Sequence, residues 1–463
     1  MHTSLRMGAV ALLIAAATSP RLGAQATDRS VPETYAITNA RIVPGTGATI
    51  ARGTVVIRNG LIAAVGANVP APADARVVDG TGLTVYPGFV DAFGTLGIPA
   101  PTPPNGRGRG AAPAPTSGPS DPLAGTDADH PMGITPEVQA VDLMKVGDQT
   151  FNGARSAGIT TALTAPAEGF LTGRAALVDL SDAALADAVL KSPAAMTMQF
   201  GRGEGFGGRG YPSSVMGVFA AFRQEILDAQ RYGTWQAMYD KNPRGLQRPP
   251  MDAGLDALQP VLRGEMPIIF VANSAREIDR AIGLAKEFKL KAIIAGGEEA
   301  DQCIAELKAG NIPVLLSLNF PHRAAPANGA VAGEAEPEPL SVLESRVNAP
   351  KVAAKLAAAG VTFAFESGGM TNWNDFLENA GKAVTAGLSV DDAIKALTMA
   401  PAMVFGVEAQ IGSIEPGKIA NLTVTRGDVF EAGSKIDRVF VDGTMIVPET
   451  TQPGNGRGGR GSR

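Results

Sequence analysis

Between Pro267 and Gly369 the chain alternates short apolar runs with amphipathic stretches, four of the first and three of the second. The runs are "MPIIFVA", "LKAIIAGG", "IPVLLSL" and "VTFAFESGG". Between them lie "SAREIDRAIGLAKEFK", "EADQCIAELKAG" and "NAPKVAAKLAAAG". Short apolar runs suit strands buried on both faces, and amphipathic stretches suit the helices that cover such a sheet. Strict alternation predicts a parallel sheet and favours a closed α/β barrel over a doubly wound one. Upstream, "GITTALTAP", "AALVDL" and "AAMTMQF" extend the set of buried parallel strands. "LSVDDAIKALTMAPAMVFG" adds a late helix that Ser389 can cap, with Asp392 in the capping-box position.

Both ends of the chain read differently. "TVVIRNGLIAAVG" is two apolar segments about Asn59-Gly60, a strong hairpin signal, and "ARVVDGTGLTVYPG" continues with glycine turns. "IANLTVTRG" and "RVFVDGTMIVP" repeat the style, the second turning at Asp442-Gly443. The expected organisation is therefore a TIM-like (β/α)8 barrel over 87–406 and a small β-sandwich built from both chain ends, 27–86 with 407–449. Residues 99–131 and 324–339 read as flexible inserts and 450–463 as a disordered Gly/Arg tail, too poor in apolar surface to fold alone.

Met1–Ala26 combines Arg6, the apolar run "MGAVALLIAAAT" and an Ala24-Gln25-Ala26 cleavage site, the pattern of a signal peptide. The run is too short to span a bilayer, and no later segment spans one. The expected product is exported, and periplasmic if the source has two membranes. Losing Arg6 and Arg21 takes the net charge from −5 to −7. That charge argues against a nucleic-acid partner, and the RGG-like "GRGEGFGGRG" and "NGRGGRGSR" read as solvated loops. Cys303 is the single cysteine, so no internal disulfide can form, and its helical context predicts a packed thiol. His2 leaves with the signal peptide. Only His130 and His322 remain, both beside prolines and outside the predicted strands, which leaves little material for metal ligation or general-base work.

The stretches "AITNARIV…GTVVIRNGLIAAVG…VVDGTGLTVYPGFVDA" and "LSVDDAIKALTMAPAMVFGVEAQIGSIEPGKIANLTV" resemble the amidohydrolase superfamily, in particular its exported imidazolonepropionase-like members. The resemblance implies a TIM-like barrel with a two-ended β-sandwich and one or two divalent metals, such as zinc, at the strand ends. It also implies hydrolysis of carbon–nitrogen bonds other than ordinary peptide bonds, and frequent oligomerisation. The family motif D-x-H-x-H falls on Asp91-Ala92-Phe93-Gly94-Thr95, so Phe93 and Thr95 stand where histidines are expected. A further ligand position falls on Asn273, with Val271 at a second histidine often found nearby. A later one falls on Gly296, and the last-strand base on Gly368. Asn421 replaces the usual aspartate of the closing motif. Three or more N, S or carboxylate ligands are needed for a zinc or iron centre. The expectation is therefore a degenerate member that holds no cofactor. It binds a small amide-like ligand, or assembles with itself or with an active relative.

The alternative is an active hydrolase that works through carboxylates or a non-standard metal site. Its candidates are Asp91, Glu298 and Glu366, with Glu366 and Glu298 as a possible acid–base pair. Ser367 lacks a histidine partner, and no G-x-S-x-G elbow occurs. "LTGRAALVDL" also matches exported relatives, with Arg174 read as a loop or pocket residue. Arg223, in "GYPSSVMGVFAAFRQEILDAQRYG", is read as part of a packed helix.

Overall fold

A computed structural model describes residues 34–99, 131, 133–145, 149–200, 214–321, 338–431 and 433–448. The predicted signal peptide, nearly all of both inserts, the C-terminal tail, His130 and His322 lie outside the described residues. Sixteen strands are found among the described residues, in chain order β1 (Tyr35–Ile42), β2 (Ile50–Arg58), β3 (Leu61–Gly66), β4 (Arg76–Asp79), β5 (Leu83–Pro87), β6 (Phe89–Gly94), β7 (Ile159–Thr164), β8 (Leu171–Asp179), β9 (Val189–Gln199), β10 (Ile268–Ala272), β11 (Ala292–Gly296), β12 (Val314–Ser317), β13 (Phe363–Glu366), β14 (Leu422–Arg426), β15 (Lys435–Val441) and β16 (Thr444–Ile446).

One sheet runs β16-β15-β14-β5-β1-β2-β3, with β4 paired to β1, and so joins the two chain ends. The β5–β14 ladder does the joining, from Pro87 against Leu422 to Leu83 against Arg426. Both turns marked by the sequence adopt left-handed backbone, at Asn59-Gly60 and Asp442-Gly443. They also meet: a Cβ on Gly443 would lie 2.6 Å from the Cα of Gly60. Glycine at 443 thus serves the turn and the contact together.

The second sheet runs in order from β6 to β13 and curls into a nearly closed barrel. Neighbours pair in parallel except at β8, which is antiparallel to both β7 and β9. This corrects the expectation of a uniformly parallel set. Only 165–170 separate β7 from β8, which is too short for a parallel crossover. Arg174 accordingly lies within β8, not in a loop, and donates from Nη2 to the Glu137 carbonyl at 2.6 Å. Arg223 lies on helix Val215–Lys241 and pairs with Glu287.

Strand alternation divides the core. Val90, Ala92, Leu163, Ala175, Leu177, Ala195, Ile269, Ile293, Ala295, Leu315 and Ala364 share one cluster with Ala400, Ala402 and Phe405 of helix Met399–Phe405. Their strand neighbours Phe270, Ile294, Leu316 and Phe365 join the helices in another. The first set fills the barrel interior, and the second is its outer wall.

Helix Ala275–Phe288 opens with a full capping box between Ser274 and Glu277. Ser389 caps helix Val390–Leu397 through the Asp392 amide at 3.0 Å. Cys303 is buried, and burial pushes its thiol up to about 12, so it stays protonated as a packing group. Among the described residues no helix is long and apolar enough to cross a membrane.

Candidate active site at the strand ends

The C-terminal ends of β6 and of β10 to β13 gather the sequence-marked positions around the barrel mouth. Asp91 is fully buried on β6. Its Oδ1 accepts from the Ser367 amide at 2.8 Å and from the Phe93 amide at 3.4 Å. Its Oδ2 is buried with no hydrogen-bond partner. Burial pushes the Asp91 carboxyl up to about 7, against the pull of the Ser367 and Phe93 hydrogen bonds. A carboxyl held that high carries a proton for part of the time at neutral pH.

Glu366 ends β13 and is also buried. Burial raises its carboxyl well above the ordinary range, and the Asp91 charge raises it further. Hydrogen bonds from the Gly368 amide, the Ser317 hydroxyl and the Gly296 amide oppose that rise. Both carboxyls are buried, so each ionises less readily than in water, and a charge on Asp91 makes ionising Glu366 harder still. The carboxyl that acts on Glu366 is thus Asp91. Glu298, just past β11, is half-buried, and its titration rises through burial and then through Glu299 and Glu277.

The positions that match family ligands are occupied by other material. Phe93 and Val271 are half-buried and pack on the apolar interior cluster. Thr95 is exposed just beyond β6. Asn273 is exposed after β10, with its backbone held by Glu277 Oε2 on the amide and the Glu299 amide on the carbonyl.

Gly296 ends β11 at φ +89°, and a Cβ there would sit 2.0 Å from Asn273 Oδ1. Gly368 adopts φ +59°, and its Cβ would sit 2.2 Å from Ser317 Oγ. Side chains from the neighbouring strands therefore fill the space that residues at 296 and 368 would use. Asn319 completes the arrangement, donating from Nδ2 to the Gly368 carbonyl at 3.1 Å. Ser317 and Asn319 escape sequence reasoning. Their only sequence signal is their place at the end of the "IPVLLSL" run.

A divalent metal can be tested against this donor set. The unpartnered Asp91 Oδ2 and the Glu366 carboxyl are two oxygens, and the described residues supply no nitrogen ligand from histidine. Among the described residues no three His, Cys, Asp or Glu side chains converge. A zinc centre of three or more such ligands does not fit the described residues.

A near-closed α/β barrel with its candidate site at the strand ends, joined to a sheet made from both ends of the described chain, defines the class of TIM-like barrels with a two-ended β-sandwich. Residues 146–446 match the amidohydrolase family, and the chain belongs to it. An amidohydrolase from Thermotoga maritima MSB8 is 27% identical, with a TM-score of 0.73, covering 89% of this chain and all 100% of its own. A prolidase in complex with N-methylphosphonate-L-proline is 16% identical, with a TM-score of 0.52 over 90% of this chain and 100% of its own. That second likeness speaks for the fold alone. No curated protein matches the chain.

Proposed function

We propose that this chain is a degenerate, metal-independent amidohydrolase that is exported and retains the barrel mouth as a binding site for a small amide-like ligand, alone or assembled with an active relative. One observation carries the reading. The side-chain space at Gly296 and Gly368 is taken by Asn273 and Ser317, while Phe93 and Val271 belong to the apolar interior. The export reading rests on Arg6, the apolar run and Ala24–Ala26. Metal analysis of protein purified with zinc is expected to give substoichiometric metal. Stoichiometric zinc whose removal by chelator abolishes an activity overturns the reading.

The Asp91–Glu366 pair favours a second reading, an acid–base hydrolase without a transition metal. A screen of cyclic amides and N-acyl amino acids decides it. Turnover lost in both Glu366→Gln and Asp91→Asn supports this version, and turnover that survives both replacements eliminates it.

A further inference from the structure

Away from the mouth, a second buried carboxyl lies where the end sheet meets the barrel. Asp179 ends β8 and pairs across the ladder with Thr161 of β7. Its Oδ1 accepts from Thr161 Oγ1 at 2.7 Å and from Asn421 Nδ2 at 2.6 Å. Asn421 directly precedes β14, and its Oδ1 accepts from the Asp442 amide at 2.8 Å, in the β15–β16 turn. Three residues thus link the barrel to two segments from the far end of the chain. All but Asp442 are buried.

We propose that Asp179, Asn421 and the Asp442 turn form a proton-operated clasp between barrel and end sheet, closed while Asp179 holds a proton and loosened when its carboxylate forms.

The surroundings leave the carboxylate uncompensated. β7 carries no ionisable residue. Arg155 of helix Gln149–Ser156 is committed to the Leu180 carbonyl and to Asp182. Lys191 of β9 donates to the Phe405 carbonyl. On the end sheet, Arg426 and Arg438 both pair with Asp437, and Lys435 is exposed. Asp187 and Asp442, both exposed, add negative charge. A cavity of about 10 Å³ beside Asp179, walled also by Ser181 and the exposed Lys145, has room for one water and not for a hydrated counter-ion. Burial and then the Asp442 charge push Asp179 up to about 7, against the Thr161 and Asn421 hydrogen bonds. Releasing Asn421 and the turn lets water reach the charge.

The sign follows from a raised acid. The closed state binds the proton more tightly than the open state, so opening is least favoured at low pH. It grows by up to about tenfold per pH unit between the ordinary value of 3.8 and about 7, then levels off.

Hydrogen exchange followed by mass spectrometry, corrected for intrinsic rates, reads this locally on the full chain. Exchange over 419–446 is expected to rise at least tenfold from about pH 5 to about pH 8 relative to 268–288. Asp179→Asn is expected to abolish the difference. Asp442→Asn, which keeps a residue tolerant of the left-handed turn, is expected to move the midpoint to lower pH. Wild-type exchange over 419–446 that follows 268–288 at both pH values overturns the clasp. So does a response that survives Asp179→Asn.

Discussion

Gly296→His is expected to destabilise the protein by about 2–4 kcal/mol and to leave its zinc content unchanged. Two costs add. At φ +89° a side chain forces backbone that L-residues rarely adopt. The new Cβ also meets Asn273 Oδ1 at 2.0 Å; that atom tips an exposed side chain that can swing aside while its backbone stays tied to Glu277 and Glu299, so this is the smaller cost. Pairing the change with Asn273→Ala removes the collision and leaves the backbone strain, so only part of the loss returns. Gly368→Asp follows the same logic with a smaller strain, because aspartate tolerates the left-handed region better than histidine does. Its Cβ displaces Ser317 Oγ, and with it a hydrogen bond to Glu366. Urea denaturation at constant pH measures the stability change, and elemental analysis measures the metal. A variant at full stability that binds zinc stoichiometrically refutes the backfilling argument.

The second large effect concerns the paired carboxyls. Wild-type stability is expected to fall by on the order of 2–4 kcal/mol between about pH 5 and about pH 8. Asp91 and Glu366 are both raised by burial, and Glu366 additionally by Asp91. The folded chain therefore holds protons that the unfolded chain has already released. Their stabilising contribution is complete below the unfolded value of 3.8 and is lost as pH rises through about 7. Glu366→Gln lessens this slope without removing it, because Asp91 and Asp179 keep their raised carboxyls, and gives a protein more stable than wild type at about pH 8. The amide keeps an oxygen for the Gly368 N–H and carries no charge to bury beside Asp91. Thermal melting across the pH range checks it. An unchanged slope in Glu366→Gln means Glu366 is not among its sources.

How far the sequence carried these conclusions differs by element. The alternation from Pro267 to Gly369 reappears as β10 to β13 with helices Ala275–Phe288, Ile304–Ala309 and Leu340–Ala359 between them. Period and apolar content suffice there, because each strand is buried on both faces and each helix covers one. Helix Leu340–Ala359 begins well before the predicted stretch at Asn348. Leu340, Leu343 and Val347 are exposed in its first turns, so no buried face marks that extension in the sequence. The reversal of β8 was equally illegible. Its residues are as apolar as those of a parallel strand, and direction lies in the connection rather than in the run.

The candidate site divides along the same line. The residue types at 93, 95, 271, 273, 296 and 368 were readable in the chain, and with them the mismatch to a histidine-rich metal site. The two-ended sheet was readable too, because Asn-Gly and Asp-Gly turns impose a local backbone that no distant contact needs to explain. Only the tertiary structure decided that Asn273 fills the space beside Gly296, that Ser317 fills it beside Gly368, and that Asp91 raises the Glu366 carboxyl. Those pairs come from different strands, and Asp91 on β6 and Glu366 on β13 stand at opposite ends of the barrel sheet's strand order. Local propensity sets which residues enter a strand. Barrel closure sets which strand ends meet, and burial at that meeting sets the charge they carry.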